Sequence, residues 1–597
     1  MKSDASSHRM RYTEIPLPQA VVHYCAQYHI KHVVISAGSR NAPLTNGFVE
    51  NPFFSTYSIV DERAAAFFAL GMAQQLNHPV ALVCTSGSAL LNYYPAIAEA
   101  YYSEIPLVVI SADRMPHRVD IGDGQTIQQE GVFGPHLLDA ASLKPDVSHA
   151  TNALLASNKQ PYFKGSPSQK EIDALQQKHQ KHNIAELQRV LALVCATKGP
   201  VHINVPMEEP LYGMTETPID FPEALEAIAP KHDTDFKEIQ SLWEKAKRKM
   251  ILIGVSKPNP ELSNALGNLL DDPSVIVFSE KTSNFSHPKA IASIDCLMAP
   301  MEHEQDGAAQ DLQPDLLLTI GGMIVSKKIK FFLRKHRAAH HFHIDTTKAN
   351  DTFYYFTKHI NTPAEKALET LSASKPIDSD YQPKILAKHH QYLHRGKRYL
   401  SKVPFSDIKV FERISQSLPD NLQLHIANSS PIRYIQLFDL PQGTEVFCNR
   451  GTAGIDGSTA TAIGAAQINP KQTVLITGDL SFFYDINGLW NNYIPKNLRI
   501  ILINNQGGGI FRILPGDKDT PKYDTYFETI HGRHARHLAK HFGLRYRCVK
   551  SDWELKRALR SFYKASKTAK ILEISTPRKR NDTTLLNYFK AMAETKN

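Results

Sequence analysis

The chain contains no CxxC pair, no HExxH and no GxGxxG, and no apolar run nears the roughly 18 residues of a membrane helix. Its six cysteines (Cys25, Cys84, Cys195, Cys296, Cys448 and Cys548) lie far apart. That scatter argues for reduced, buried thiols in a cytoplasmic protein and against a disulfide or zinc framework. The first residues, MKSDASSHRMRY, lack the apolar stretch of a secretory leader. A basic block is also missing: 68 Lys and Arg against 59 Asp and Glu give a net charge of +9, spread over 597 residues. No nucleic-acid partner is expected, and the excess is read as solubility with attraction for anionic substrates. Histidine is plentiful, at 27. His340, His341 and His343 sit together, and His537 and His541 are one helical turn apart, but no second ligand cluster stands at zinc spacing. Core or solvated histidines are the expectation.

What is present is a repeated alternation of short apolar strands and helical stretches. HVVISAG (32–38), PVALVCTSG (79–87), PLVVISADR (106–114) and GPVHINVP (199–206) read as strands, with one helical stretch from Ser88 to Tyr102. KMILIGVS (249–256), SVIVFSE (274–280), DLLLTIGG (315–322) and HHFHIDT (340–346) repeat the style. A polar stretch near 375–400 reads as a linker or exposed helix. LQLHIANSS (422–430), TEVFCNRG (444–451), TVLITGD (473–479) and LRIILINNQGG (498–508) follow. Near-continuous apolar strands joined by helices mark parallel sheets covered on both faces. Three α/β domains are predicted, over 1–214, 230–375 and 400–597.

Chemistry concentrates in the last of these. One strand ends in Gly478-Asp479-Leu480, and the next ends in Asn504-Asn505-Gln506-Gly507-Gly508, at the spacing of a strand–helix–strand crossover. Ligands of parallel sheets sit outside the carboxyl ends of strands, so both motifs face one crevice. An Asp carboxylate, an Asn amide oxygen and a nearby peptide carbonyl are hard donors suited to magnesium beside a phosphate. Glycines let the backbone approach that phosphate. Each motif alone is common loop chemistry; the pair at crossover spacing favours a metal–diphosphate site.

GDL…NNQGG resembles the signature of the pyruvate-oxidase-like thiamine-diphosphate enzymes, usually GDG followed by NN. That resemblance implies three doubly wound parallel-sheet domains: pyrimidine-binding, central and diphosphate-binding. It makes Gly478, Asp479, Leu480, Asn505 and Gly507 cofactor-binding, with Asp479, Asn505 and the Gly507 carbonyl as ligands of Mg2+ (Mn2+ as the alternative). Leu480 in place of glycine is similar to one branch, the 2-succinyl-5-enolpyruvyl-6-hydroxy-3-cyclohexene-1-carboxylate synthases of menaquinone biosynthesis. Asp61-Glu62-Arg63 before an apolar helical run reads by itself as acidic capping of a helix. Under the resemblance Glu62 is catalytic and hydrogen-bonds N1′ of the cofactor's aminopyrimidine.

Other strings carry the same resemblance. Gly38-Ser39-Arg40-Asn41-Ala42-Pro43-Leu44-Thr45 is similar to the synthase motif GSR-S-T-P-L-T, with Ser39 and Arg40 toward substrate. Asp123-Gly124-Gln125 resembles a substrate loop contributing Gln125, with Gly124 where asparagine is usual. Asn428-Ser429-Ser430-Pro431-Ile432-Arg433 resembles the segment whose Ser429 and Arg433 hold a distal carboxylate. Asn449 to Gly457 resembles the loop in which Arg450 faces substrate and Ile455 wedges beneath the cofactor. Lys327 and Lys328 fall where the family carries Lys-Arg, and Arg114 is placed as a further carboxylate contact.

The activity implied is decarboxylation of 2-oxoglutarate and conjugate addition of the succinyl fragment to isochorismate, by a homodimer or tetramer. An acetolactate-synthase-like carboligase or another 2-oxo acid decarboxylase is the nearest alternative, and a catalytically silent homologue a remote one. A nucleotide-binding dehydrogenase is disfavoured by the missing GxGxxG.

Overall fold

The computed structural model describes residues 10–157, 160–226, 231–304, 308–513, 516 and 518–594, so the start of the stretch read for a leader (1–9) lies outside the described residues. Three sheets, parallel throughout, form the frame. The first has six strands in the order Ser55–Ser58, His32–Ile35, Val80–Cys84, Leu107–Asp113, Pro200–Pro206 and Asp139–Ser142. Five make the second: Val275–Ser279, Lys249–Ile253, Leu316–Ile320, His340–Ile344 and Lys358–Ile360. The third runs Glu445–Phe447, Gln423–Ile426, Thr473–Gly478, Arg499–Asn504, Lys570–Ser575 and Arg545–Val549. A two-residue antiparallel clasp, Tyr12–Thr13 against Met214–Thr215, joins the start of the first unit to its end.

Inner strands such as Val80–Cys84 and Leu107–Asp113 are buried along their whole length, as helices on both faces require. In the first and third sheets the strand order reverses, between His32–Ile35 and Val80–Cys84 and between Gln423–Ile426 and Thr473–Gly478. At such a reversal the neighbouring loops splay apart and leave a crevice at the carboxyl ends.

Two of the apolar cores cross from one sheet's territory to another. Helix Glu62–Leu76 of the first unit packs on helix Ser458–Ile468 of the third, and their residues share one core. Glycines permit this approach: a Cβ on Gly71 would sit 2.0 Å from the Thr461 carbonyl oxygen, and one on Gly464 would sit 1.9 Å from that of Phe68. Another core joins the middle sheet to the third through the carboxyl-terminal helix Asn581–Ala593.

Two expectations change in detail, and the histidines lie where they were expected. The polar stretch near 375–400 is helix Tyr381–Lys402, and it is not simply exposed: Tyr381, Ile385, His389, Tyr392, Gly396 and Leu400 recur at helical spacing and are buried. The helical stretch from Ser88 is two helices, Ser88–Asn92 and Tyr94–Ser103, the second carrying Pro95 in its first turn. His341 and His343 belong to the core: both rings lie 2.9 Å from Thr319 Oγ1, and burial pushes each down to about 4. His537 and His541 are exposed. Among the described residues no group of three or more His, Cys, Asp or Glu is arranged to hold a metal.

Candidate active site

The carboxyl ends of the third sheet bring the two halves of the glycine-rich signature together. Asp479 begins a helix directly after its strand and is 3% exposed. Its Oδ1 accepts the Leu480 N–H at 2.7 Å, and its Oδ2 accepts the Gly507 N–H at 3.0 Å. Gly507 has φ +150°, and a Cβ there would meet the Glu528 carbonyl oxygen at 2.4 Å. Glycine is therefore required where the chain turns back toward Asp479.

The side-chain amide of Asn505 is oriented by a residue far away in sequence. Its Nδ2 donates to Asp407 Oδ2 at 3.0 Å, which leaves Oδ1 as the free pole of the amide. Asp407 is held in turn by the Thr576 hydroxyl at 2.6 Å, and burial pushes its carboxyl up to about 6. His531 completes the group. Its Nδ1 accepts the Arg533 N–H at 3.2 Å, and its Nε2 lies 3.4 Å from Asp479 Oδ2.

A divalent cation fits this donor set. Asp479 is a buried carboxylate, and among the described residues its one ion-pair contact is His531, with no Lys or Arg. A buried carboxylate without a fixed cation is costly, and a metal removes that cost. The donors are one carboxylate, one amide oxygen and one peptide carbonyl, hard oxygens of the kind magnesium takes.

The loop that follows Phe447 closes over the same end of the sheet. Asn428, after strand Gln423–Ile426, donates from Nδ2 to the Asn449 and Gly454 carbonyls at 2.6 and 2.7 Å. Its Oδ1 accepts Arg450 Nη1 at 2.7 Å. The Ile455 carbonyl accepts the hydroxyl of Ser481 at 2.7 Å, so Ile455 stands beside the Asp479 helix, and its side chain is 36% exposed. Arg433 donates Nη1 to the Ser429 carbonyl at 2.6 Å, and burial, then the neighbouring Arg450, lowers its pKa. Ser429 itself has φ +71°.

Residues of the first sheet also gather at its carboxyl ends. Arg40 follows His32–Ile35, is 4% exposed, and donates to the Met207 carbonyl at 3.1 Å and to Glu209 Oε1 at 3.0 Å. Arg114 follows Leu107–Asp113, donates to the Gly124 carbonyl at 3.2 Å and lies 3.8 Å from the same Glu209 oxygen. Gln125 has φ +55° and an exposed side chain, and its carbonyl takes the Ser86 hydroxyl at 2.8 Å. Ser39 is exposed.

At the head of helix Glu62–Leu76 the capping role belongs to Asp61, whose Oδ1 accepts the Ala64 N–H at 2.9 Å. Asn487 of the third unit holds the other Asp61 oxygen at 2.6 Å. Glu62 is thus released from capping. Its side chain makes no hydrogen bond among the described residues, and its charge faces the buried Cys84 and Tyr93, whose pKa values are raised first by burial.

In the middle unit Lys327 and Lys328 begin helix Lys327–Lys335, behind the Ser326 cap. Lys327 is exposed, and Lys328 Nζ pairs with Glu302 at 2.5 Å. Buried Glu280 accepts the N–H groups of Val325 and Ser326 just before them.

One feature unites three of these arginines. Among the described residues, the buried guanidinium nitrogens without a hydrogen-bond partner are Nε of Arg40, Arg114 and Arg450. An unpaired buried donor costs about 1–3 kcal/mol, so these positions favour an anionic acceptor. Sequence reasoning missed Asp407, His531, Asn428 and Glu99, whose meaning lies in partners far along the chain. Asn428 alone stood inside a motif already singled out.

Parallel sheets with a switch point bring Asp479, Asn505 and Gly507 to one crevice and leave the Glu62 side chain on another unit without a hydrogen-bond partner among the described residues. The family described as thiamine pyrophosphate enzyme, N-terminal TPP binding domain, matches residues 17–136, and its C-terminal TPP binding domain matches 430–574. Full-length relatives narrow the class. A Christiangramia forsetii protein named 2-succinyl-5-enolpyruvyl-6-hydroxy-3-cyclohexene-1-carboxylate synthase is 48% identical over 98% of this chain and 100% of its own. Proteins of the same name from Flavobacterium psychrophilum and Porphyromonas gingivalis are 48% and 37% identical, over 97% and 94% of this chain and 100% and 94% of their own. The chain belongs to the family of these synthases.

Proposed function

We propose that this enzyme decarboxylates 2-oxoglutarate and transfers the succinyl fragment to isochorismate, in menaquinone biosynthesis, with Mg2+ (Mn2+ as the alternative) beside the diphosphate. The observation that carries the reading is the trio of unpartnered buried Nε groups on Arg40, Arg114 and Arg450. Both substrates are dicarboxylates, and planar guanidinium forks are suited to carboxylates.

Asp479, Asn505 and the Gly507 carbonyl would hold the metal, with Gly478 and Leu480 flanking the diphosphate. Thiamine diphosphate, when bound, supplies the electron sink for the carbon that loses carbon dioxide. Glu62 would share a proton with N1′ of the aminopyrimidine through its carboxyl oxygen, and freedom from capping supports that role. Ile455, half open beside the Asp479 helix, would support the bent shape of the cofactor. Ser429 and Arg433 would grip the distal carboxylate of the 2-oxo acid. Arg40, Arg114, Gln125 and Ser39 would receive the second substrate, with Lys327 and Lys328 adding positive charge, and Arg450, the charged neighbour of Arg433, would meet a carboxylate of the 2-oxo acid.

Residues 1–214, 230–375 and 400–597 are assigned as pyrimidine-binding, central and diphosphate-binding domains. A homodimer is the proposed minimum unit, with a tetramer as the alternative. Supporting this, Arg40 has its charged neighbours among Arg114, Arg118, Glu208 and Glu209, whereas Arg433 has Arg450 and Asp295. A second copy would bring the two groups together. The cytoplasm is the proposed location, in keeping with six free cysteines.

Purified protein with thiamine diphosphate and Mg2+ should consume isochorismate only when 2-oxoglutarate is present, and Glu62→Gln should lower the rate by about a hundredfold or more. Turnover of pyruvate with isochorismate untouched would move the assignment to a carboligase or decarboxylase of the wider class.

A further inference from the structure

The loop carrying Arg450 and Ile455 is fastened to a different domain by one buried carboxylate. Glu99 lies in helix Tyr94–Ser103, among buried Ala96, Ile97 and Ala100, and is 1% exposed. Its Oε1 accepts the Gly451 N–H at 2.8 Å and the Ser103 hydroxyl at 2.7 Å. Its Oε2 accepts both the Thr452 N–H at 2.7 Å and the Thr452 hydroxyl at 2.8 Å. Among the described residues no Lys or Arg pairs with it. A buried carboxylate is ordinarily matched by a cation; here two successive peptide N–H groups and two hydroxyls do that work.

The fit leaves no slack. A Cβ on Gly451 would stand 2.7 Å from the Glu99 carbonyl oxygen and 2.8 Å from Ser103 Oγ. The other side of the loop is tied by Asn428, which holds the Asn449 and Gly454 carbonyls and Arg450 Nη1. Arg450 immediately precedes the clamped pair, and Ile455 follows it by three residues. Nothing in the packing of helix Tyr94–Ser103 requires a carboxylate at this point, since its other inward positions are alanine and isoleucine. Apart from the Ser103 hydroxyl on its own helix, every group the carboxylate accepts from belongs to the loop.

We propose that Glu99 is a positioning residue of the reaction: it fixes the 450–455 loop across the domain boundary, so that Arg450 meets the substrate carboxylate and Ile455 supports the cofactor. The inference rests on the roles assigned to Arg450 and Ile455 above. Glu99 touches neither substrate nor cofactor and acts through the loop.

The test compares Glu99→Gln and the milder Thr452→Val with the parent enzyme in three measurements: thermal unfolding, thiamine diphosphate affinity by fluorescence titration with Mg2+, and steady-state kinetics. Glu99→Gln turns an amide N–H toward loop donors. It is expected to raise the KM for 2-oxoglutarate and weaken thiamine diphosphate binding by about tenfold each, and Thr452→Val by a smaller factor in the same direction. A purely structural role would lower the unfolding temperature and the active fraction, leaving KM and cofactor affinity of the folded enzyme unchanged; that result overturns the proposal. If the parent does not use 2-oxoglutarate, the substrate reading fails separately, and the cofactor titration still decides Glu99.

Discussion

Asn505 and Asp407, 98 residues apart, form a buried pair in which the amide donates and the carboxylate accepts, at 3.0 Å. The pair fixes Nδ2 of the Asn505 amide on Asp407 and turns Oδ1 away from it. Asp407→Asn keeps the shape and removes the obligatory acceptor, so the amide is free to turn over. Affinity for Mg2+ or Mn2+ should fall by about 10- to 100-fold, as for other residues that orient metal ligands. Mn2+ titration followed by electron paramagnetic resonance reads this without turnover. Unchanged affinity would remove Asp407 from the site.

Glu209 stands where a substrate carboxylate is expected, against both Arg40 and Arg114, and its side chain is 62% exposed. Arg40 is buried but the Glu209 side of the pair is open to solvent, so an incoming carboxylate can reach the guanidinium and displace Glu209. Glu209→Gln should therefore lower the KM of the substrate bound there by about two- to fivefold, with kcat kept. A higher KM would mean that Glu209 assists binding.

Burial pushes Glu280 up to about 7, above the ordinary glutamate value of 4.5. A raised acid stabilises the fold below its unfolded pKa, and that contribution is lost as pH rises through 7. Glu280→Gln cannot ionise. Relative to wild type it should gain stability between pH 5 and pH 8, by up to about 3 kcal/mol. Urea midpoints at several pH values measure the difference, and parallel curves would refute it.

Gly71→Ala directs a methyl group at the Thr461 carbonyl oxygen, where the distance would be 2.0 Å. Backbone on both sides must move, and the expected loss is about 3 kcal/mol or more. Calorimetry should show a lower unfolding temperature; an unchanged one would mean that the two helices separate easily.

How much could be read beforehand depended on where each residue stood. Strands such as Val80–Cys84 and Thr473–Gly478 are buried by sheet on two sides and helices on two faces, so they are apolar throughout and plain in sequence. Ser55–Ser58, Asp139–Ser142, Lys358–Ile360 and Arg545–Val549 went unread because each is an edge strand, free to carry polar residues. Lys570–Ser575 is an inner strand disguised by Glu573, which is buried and bonds His534, Ala535, Tyr546 and Asn504. Asp479 and Asn505 were legible because adjacent strand ends bring them together. Glu99 reads as an ordinary helix residue until Gly451 and Thr452 fold against it.

The glycine-lined contact between helices Glu62–Leu76 and Ser458–Ile468 also sets a timetable. About 380 residues separate the two helices, which at roughly 5–20 residues per second is some 20–80 seconds of synthesis. Throughout that interval the face bearing Phe67, Phe68 and Gly71 leaves the ribosome without its partner. The amino-terminal third must wait with a sticky surface uncovered, so the yield of active enzyme in the cell will depend on what shields that surface until the last domain arrives.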